Sequence, residues 1–254
     1  MSIDFTLRNI ALLFPLALGG AFVSGLCGFG ASIITLPVLA MFFDLRVAVV
    51  VLMFPSILNP ITLSWRLRKE IDRPVTAAMI VGGCLGIVPG ALLLARVTQG
   101  YMLAGLGMLV MGVVLARILA GERQSAAFKA TGLQAAGAGV IGGVLAGAYG
   151  VPGPAVVLYA HNTSWGRDAA KAACALFFVV VMAMRIPAYF MEKLVTRDLA
   201  LLSLACCPFS LTGVLLGHIV SGRLRARAFE TAVYLVLGAS GVGILVRGIR
   251  MIHP

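Results

Sequence analysis

Eight long stretches of this chain carry no charged residue: 9–43, 47–65, 74–95, 97–116, 130–166, 172–184, 199–222 and 231–246. A soluble fold cannot tolerate this, because charge is what covers its surface; ordinary soluble domains carry about 25% charged residues. Here 11% are charged, 61% are hydrophobic and the mean hydropathy is +1.04. The sequence therefore predicts a membrane chain. In lipid the backbone must satisfy its own hydrogen bonds, so the runs are expected to be helices. A span needs roughly 20 apolar residues, which implies an all-α polytopic protein with about 8–10 membrane segments. No soluble domain, long linker or low-complexity segment interrupts this pattern.

The net charge of +11 does not point to nucleic acid, because the basic residues sit at the ends of apolar runs. Alternate connections are unequal. One set carries Arg66, Arg68, Lys69 and Arg73, then Arg117, Arg123 and Lys129, then Arg167 and Lys171, then Arg223, Arg225 and Arg227. The other set has fewer, including Arg46, Arg96, Lys193 and Arg197. The richer set is assigned to the cytoplasm, which places both termini outside an inner, plasma membrane. The N-terminus has no basic segment and no cleavage site, so no signal peptide is expected there. The five cysteines, Cys27, Cys84, Cys174, Cys206 and Cys207, form no CxxC pair and read as small buried apolar groups.

The first run of each half is too long for one helix, and each contains glycines: "GLCGFGASIITLP" from Gly25 to Pro37, and "GAYGVPGPAVVLY" from Gly147 to Tyr159. We divide them into segments at about 9–27 and 31–43, and 131–149 and 153–166, the second of each pair being short for a membrane. A shift of about 122 positions places Gly20 on Gly142, Gly25 on Gly147 and Gly28 on Gly150, and "PGALLLARV" resembles "TGVLLGHIV" with Gly90 on Gly213. Two repeats follow, residues 1–120 and 130–254. Each has an odd number of segments, so the second is expected to enter the membrane inverted. Residues 25–31 and 147–153 are expected to be non-helical. In "GGCLGIVPG", by contrast, Gly82, Gly86 and Gly90 recur every fourth residue, as close helix packing requires.

Interrupted helices at matched positions of inverted repeats point to a transporter's central site. The unwound turns expose amides, and the following half-helices present positive N-terminal ends. The expected binding residues for a small anion are Gly28, Gly30, Ala31 and Ser32 from one half, and Gly150, Pro152, Gly153 and Ala155 from the other, converging near the midplane. A bulky side chain at Gly30 or Gly153 should block it. The alternative reading of these glycines is close packing alone.

"GLCGFGASIITLPVLAMFFDLRVAV" with "WRLRKEIDRP", and "YGVPGPAVVLYAHNTSWGRDAAKAACALFFVVVMAMRIPAYF", together resemble the TauE/SafE family of sulfite and organosulfonate exporters. The resemblance covers nearly the whole chain, the paired glycine motifs being its most specific feature. It implies an integral membrane transporter of a small sulfur-containing anion, such as sulfite or a sulfonate. Pro152 and Pro154 depart from the plainer glycine run that is common in the family.

Other polar residues allow two readings each. Arg185 is either a snorkelling interfacial group or an inward-facing partner for an oxyanion. Asn59, beside Pro60, caps a local break or lines the path, and Tyr149 flanks the second motif. Lys171 reads as interfacial. His161 either carries a proton or bonds a neighbouring helix. All nine acids lie near span ends, where no Na⁺ or H⁺ carrier would place its carboxylate. The histidines are scattered and no metal or nucleophile signature occurs, so neither an enzyme nor a cofactor is expected. The expected partners are the anion and the bilayer, not nucleic acid, and a homo-oligomer is compatible with the sequence. Uptake of the same anion class and an anion channel stay open as alternatives to export.

Overall fold

A computed structural model describes residues 7–27, 31–120, 130–221 and 226–252. Among them are α1 (Leu7–Cys27), α2 (Ala31–Phe42), α3 (Leu45–Val51), α4 (Pro55–Arg66), α5 (Arg73–Arg96), α6 (Gln99–Ala120), α7 (Gly132–Tyr149), α8 (Gly153–Asn162), α9 (Arg167–Met191), α10 (Arg197–Ser221) and α11 (Ala226–Ile252). Six of these (α5, α6, α7, α9, α10 and α11) are long and apolar enough to cross a membrane, and α3 with α4 would make a seventh as one bent span. The protein is an all-helical, multi-pass membrane protein, as the charge-free runs require.

Three close pairings dominate the packing: α5 with α7, α1 with α10, and α6 with α11. The first is a seam of glycines. A Cβ on Gly82, Gly86 or Gly90 would overlap the carbonyl oxygen of Ala136, Val140 or Val144, and one on Gly139, Gly143 or Gly147 would overlap that of Met79, Gly83 or Ile87. Backbone thus touches backbone, and the rising order of the partners means that α5 and α7 run parallel. The glycine run at 82–90 is a packing device, as its spacing suggests. The α1–α10 seam repeats it: Gly213 meets Leu18, Gly217 meets Phe22, and Gly25 meets Val214. Gly86 therefore corresponds to Gly213 and Gly90 to Gly217, one helical turn along from the pairing of Gly90 with Gly213 read from sequence. The third pair is antiparallel, with Gly107 against Leu245 and Gly241 against Val110.

The helix ends have identifiable causes. Gly150 adopts φ +66°, and its N–H donates to the Ala146 carbonyl at 2.8 Å while that of Val151 donates to the Leu145 carbonyl at 3.3 Å. Pro152 then prevents continuation. Residues 147–149 are helical and Gly153 opens α8, so the interruption is 150–152 rather than 147–153. Residues 25–27 and Ala31 are likewise helical, against the expectation for 25–31, and residues 28–30 lie outside the described residues. A further break was not anticipated. Pro55 has no N–H and its ring crowds the carbonyl four residues back, so α3 and α4 meet at 41°.

Side chains also tie the connections into two groups. Arg46 donates to the carbonyls of Leu94 (2.9 Å) and Val97 (3.1 Å), and Arg247 to those of Ala40 (2.7 Å) and Met41 (2.8 Å), satisfying the open C-terminal ends of α5 and α2. At the N-terminal end of α5, the Trp165 indole N–H donates to Asp72 at 3.1 Å.

Candidate functional site

Asn59 of α4 is buried, and its side-chain NH₂ donates to the Ser24 carbonyl and hydroxyl of α1. An amide in an apolar segment needs such partners, and these hold α4 against α1 at the edge of a cavity. The cavity measures about 30 Å³, room for about two waters. Polar atoms come to it from Ser24, Ser32, Thr35, Ser56, Asn59 and Ser210, on α1, α2, α4 and α10. Thr35 seats against Gly20, where a side chain would overlap it. Hydroxyls and an amide carry no charge and can both donate and accept, so they suit an anion's oxygens without fixing a countercharge.

The charge lies immediately behind. Arg185 of α9 is 1% exposed. It does not snorkel; its side chain crosses to the α3–α4 break and donates to the Met53 carbonyl at 3.3 Å and the Ser56 hydroxyl at 3.1 Å. Ser56 therefore belongs to both the cavity and the arginine. On its other side the guanidinium lies against Gly150, where any Cβ would overlap it. Tyr189, one turn later, places its ring 5.3 Å from the guanidinium. Its hydroxyl donates to the Gly147 carbonyl at 2.7 Å, satisfying an acceptor left open where α7 ends. Tyr189→Phe is expected to cost about 1 kcal/mol, read as a lower melting temperature of the purified protein in detergent; unchanged melting would show that water serves as well.

The positions related by the repeat are packed differently. The correspondences above place Ala146 where Ser24 stands, Gly83 where Ser210 stands and Ile87 where Val214 stands. Ala146 and Ile87 belong to an apolar cluster with Val156, Phe177 and Phe178. The Phe177 ring lies on Gly83 and Gly142. The α1–α10 side is polar and open; at the related α5–α7 side the space is taken by a phenylalanine.

The expected residues divide accordingly. Ser32 and Asn59 line the cavity, and Gly150 and Arg185 meet beside it. Tyr149 faces elsewhere, since its hydroxyl occupies the space at Gly105 of α6. Gly28 and Gly30 lie outside the described residues, and Ala31 is described only as the first residue of α2. Around the second break the amides of Gly150 and Val151 are consumed in ending α7, and Pro152 and Pro154 have none. Only Gly153 and Ala155 of that stretch can offer an N–H. The sequence reading missed Ser24, Ser56, Ser210 and Tyr189. Single hydroxyls in apolar helices give no signal, though Tyr189 follows Arg185 by the four residues that place side chains on one helix face.

A family model described as sulfite exporter TauE/SafE matches residues 13–244. No curated protein and no solved structure matches the chain.

Proposed function

The chain belongs to the TauE/SafE sulfite exporter family, and from that premise we propose that it exports a small sulfur oxyanion or organosulfonate by alternating access. The family is one of membrane transporters of sulfur-containing anions, and the multi-pass helical bundle agrees with it. The observation that carries the finer reading is the cavity of Ser24, Ser32, Ser56 and Asn59 with Arg185 behind it. We assign the anion to that cavity, with the α2 N-terminus at Ala31 and Ser32 facing it, and with Gly28 and Gly30 as further binding residues. Gly150, Pro152, Gly153 and Ala155 shape the turn against which Arg185 rests.

Alternating access is supported by the repeats, 1–120 and 130–254. Exchanging them turns the α5–α7 seam into the α10–α1 seam, and turns α6 against α11 into itself with the two antiparallel. Related helices that run in opposite directions are what an inverted repeat produces. The basic connections near Asp72 and Trp165 are then cytoplasmic, with the termini outside an inner membrane.

The described acids that flank helices, Asp44, Asp72, Asp168, Glu192 and Asp198, lie at their ends. Export of an anion from a negative-inside cell is driven by the potential, at about 2.3 kcal/mol per charge per 100 mV. In proteoliposomes, sulfite or methanesulfonate efflux is expected to follow an imposed voltage without a Na⁺ or H⁺ gradient, and to saturate with counter-flow. Flux that needs such a gradient and ignores voltage would overturn the uncoupled mechanism. Non-saturating flux would favour a channel, and net inward flux against the potential an uptake permease.

A further inference from the structure

Among the described residues Arg185 is the one charged side chain that is fully buried, and the groups it bonds or touches, Met53, Ser56 and the Tyr189 side chain, are all neutral. Its buried Nε has no acceptor among the described residues. A buried charge without a countercharge is costly, and an uncompensated donor adds to that cost. The arrangement is therefore incomplete by one anionic acceptor. It is also poised beside a place where one could sit, because the Ser56 hydroxyl that accepts from Arg185 lines the cavity.

The two neutral acceptors are themselves informative. Met53 and Ser56 flank the α3–α4 break, and Phe54 between them is held by the Ser203 hydroxyl of α10 at 3.2 Å. Pro55 contributes no N–H there. The break keeps backbone bonds of its own, from the Met53 N–H to the Val50 carbonyl at 3.0 Å and from the Ser56 N–H to the Leu52 carbonyl at 3.2 Å, and side chains from two neighbouring helices hold it as well. The Met53 bond, at 3.3 Å, is longer than the usual range and is the easier one to exchange. Gly150 and the Tyr189 ring confine the guanidinium on its remaining sides.

We propose that Arg185 is an exchangeable countercharge: an oxyanion entering the Ser24–Ser32–Ser56–Asn59 cavity displaces Met53 and Ser56 from the guanidinium, and losing those bonds loosens the α3–α4 hinge, which is then held by its own bonds and by Ser203 alone. This rests on the reading of that cavity as the anion site. A charged acceptor forms shorter hydrogen bonds, about twice as strong as neutral ones, so the exchange favours the anion. The planar fork formed by Nε and one terminal nitrogen matches two oxygens of a sulfite or sulfonate, which a lysine cannot do. Binding and hinge release then become one event, and the ligand that is moved is the ligand that unlocks the movement.

The test uses the full chain in lipid nanodiscs with sodium methanesulfonate and sodium sulfite as probes. Binding is measured by calorimetry, and amide hydrogen exchange is followed over residues 52–58. In the wild type, either probe should bind and raise exchange in that segment. Arg185→Lys should weaken binding roughly tenfold and Arg185→Gln roughly a hundredfold, the variants losing the exchange response. The proposal is overturned if Arg185→Gln binds as tightly as wild type, or if the probe binds wild type without changing exchange over 52–58. Should Arg185→Gln fail to fold, the Lys variant and the wild-type exchange measurement still decide. Absence of both binding and liposome flux in the wild type would defeat the functional reading itself; intact flux with unchanged exchange would defeat only the switch.

Discussion

Replacing Gly90 with valine is expected to destabilise the folded protein by about 3 kcal/mol, the upper part of the range for overpacking. A Cβ at this position overlaps the Val144 carbonyl oxygen and comes within 2.9 Å of the Gly147 Cα. Both obstacles are backbone, so no rotamer change relieves them; α5 and α7 must separate. In lipid nothing hydrophobic drives two helices together, and close contact of small residues is what holds them. Separation therefore forfeits the dispersion contacts along the whole seam. Gly217→Val should behave alike, because Gly217 meets Phe22 and Gly25 as Gly90 meets Val144 and Gly147. Gly137→Val, on α7 across the seam from Gly90 but with open space at its Cβ, is the control. Thermal unfolding in detergent should place Gly90→Val and Gly217→Val well below wild type and Gly137→Val close to it. Equal melting of Gly90→Val and Gly137→Val would refute the seam.

Gly150→Ala is expected to abolish transport while the protein still reaches the membrane. Two costs coincide there. The backbone has φ +66°, which a side chain raises by about 1–2 kcal/mol. The added methyl also overlaps the Arg185 guanidinium, which is confined by Tyr189 and by its bonds to Met53 and Ser56. Gly153→Ala should be tolerated, because a Cβ there stands 4.0 Å from the Phe178 ring. The measurement is sulfite flux in proteoliposomes at matched protein density. Wild-type flux through Gly150→Ala would remove the turn from the mechanism.

Much of this protein was settled before any packing was known. The charge-free runs dictated membrane helices, because lipid offers the backbone no hydrogen bonds. The glycines at 147–150 located the end of α7, since only glycine takes the left-handed conformation readily and proline cannot follow it within a helix. The i, i+4 spacing of Gly82, Gly86 and Gly90 announced a close seam, because such residues share one helix face. What spacing could not give was the partner, or the exact register of the repeat. That register rests on which carbonyl each glycine meets, a one-turn difference to which a pattern repeating every turn is blind.

The site was less legible. Arg185 near the end of an apolar run reads equally as snorkelling or inward, because both orientations have the same sequence; only the α3–α4 break on the facing helices gives it buried acceptors. That break was hidden in a run that looked like one ordinary span. Tyr149 and Tyr189 are both tyrosines beside a motif, yet one faces α6 and the other supports the arginine, a choice made by helix rotation. The sequence by itself determined the solvent, the helical class and the interruption at Gly150, all of which are local properties of the chain. The tertiary structure alone decided that a polar cavity opens beside the α1–α10 seam while Phe177 takes the related space at the α5–α7 seam, because a cavity is the space that several helices leave between them and no single segment encodes it.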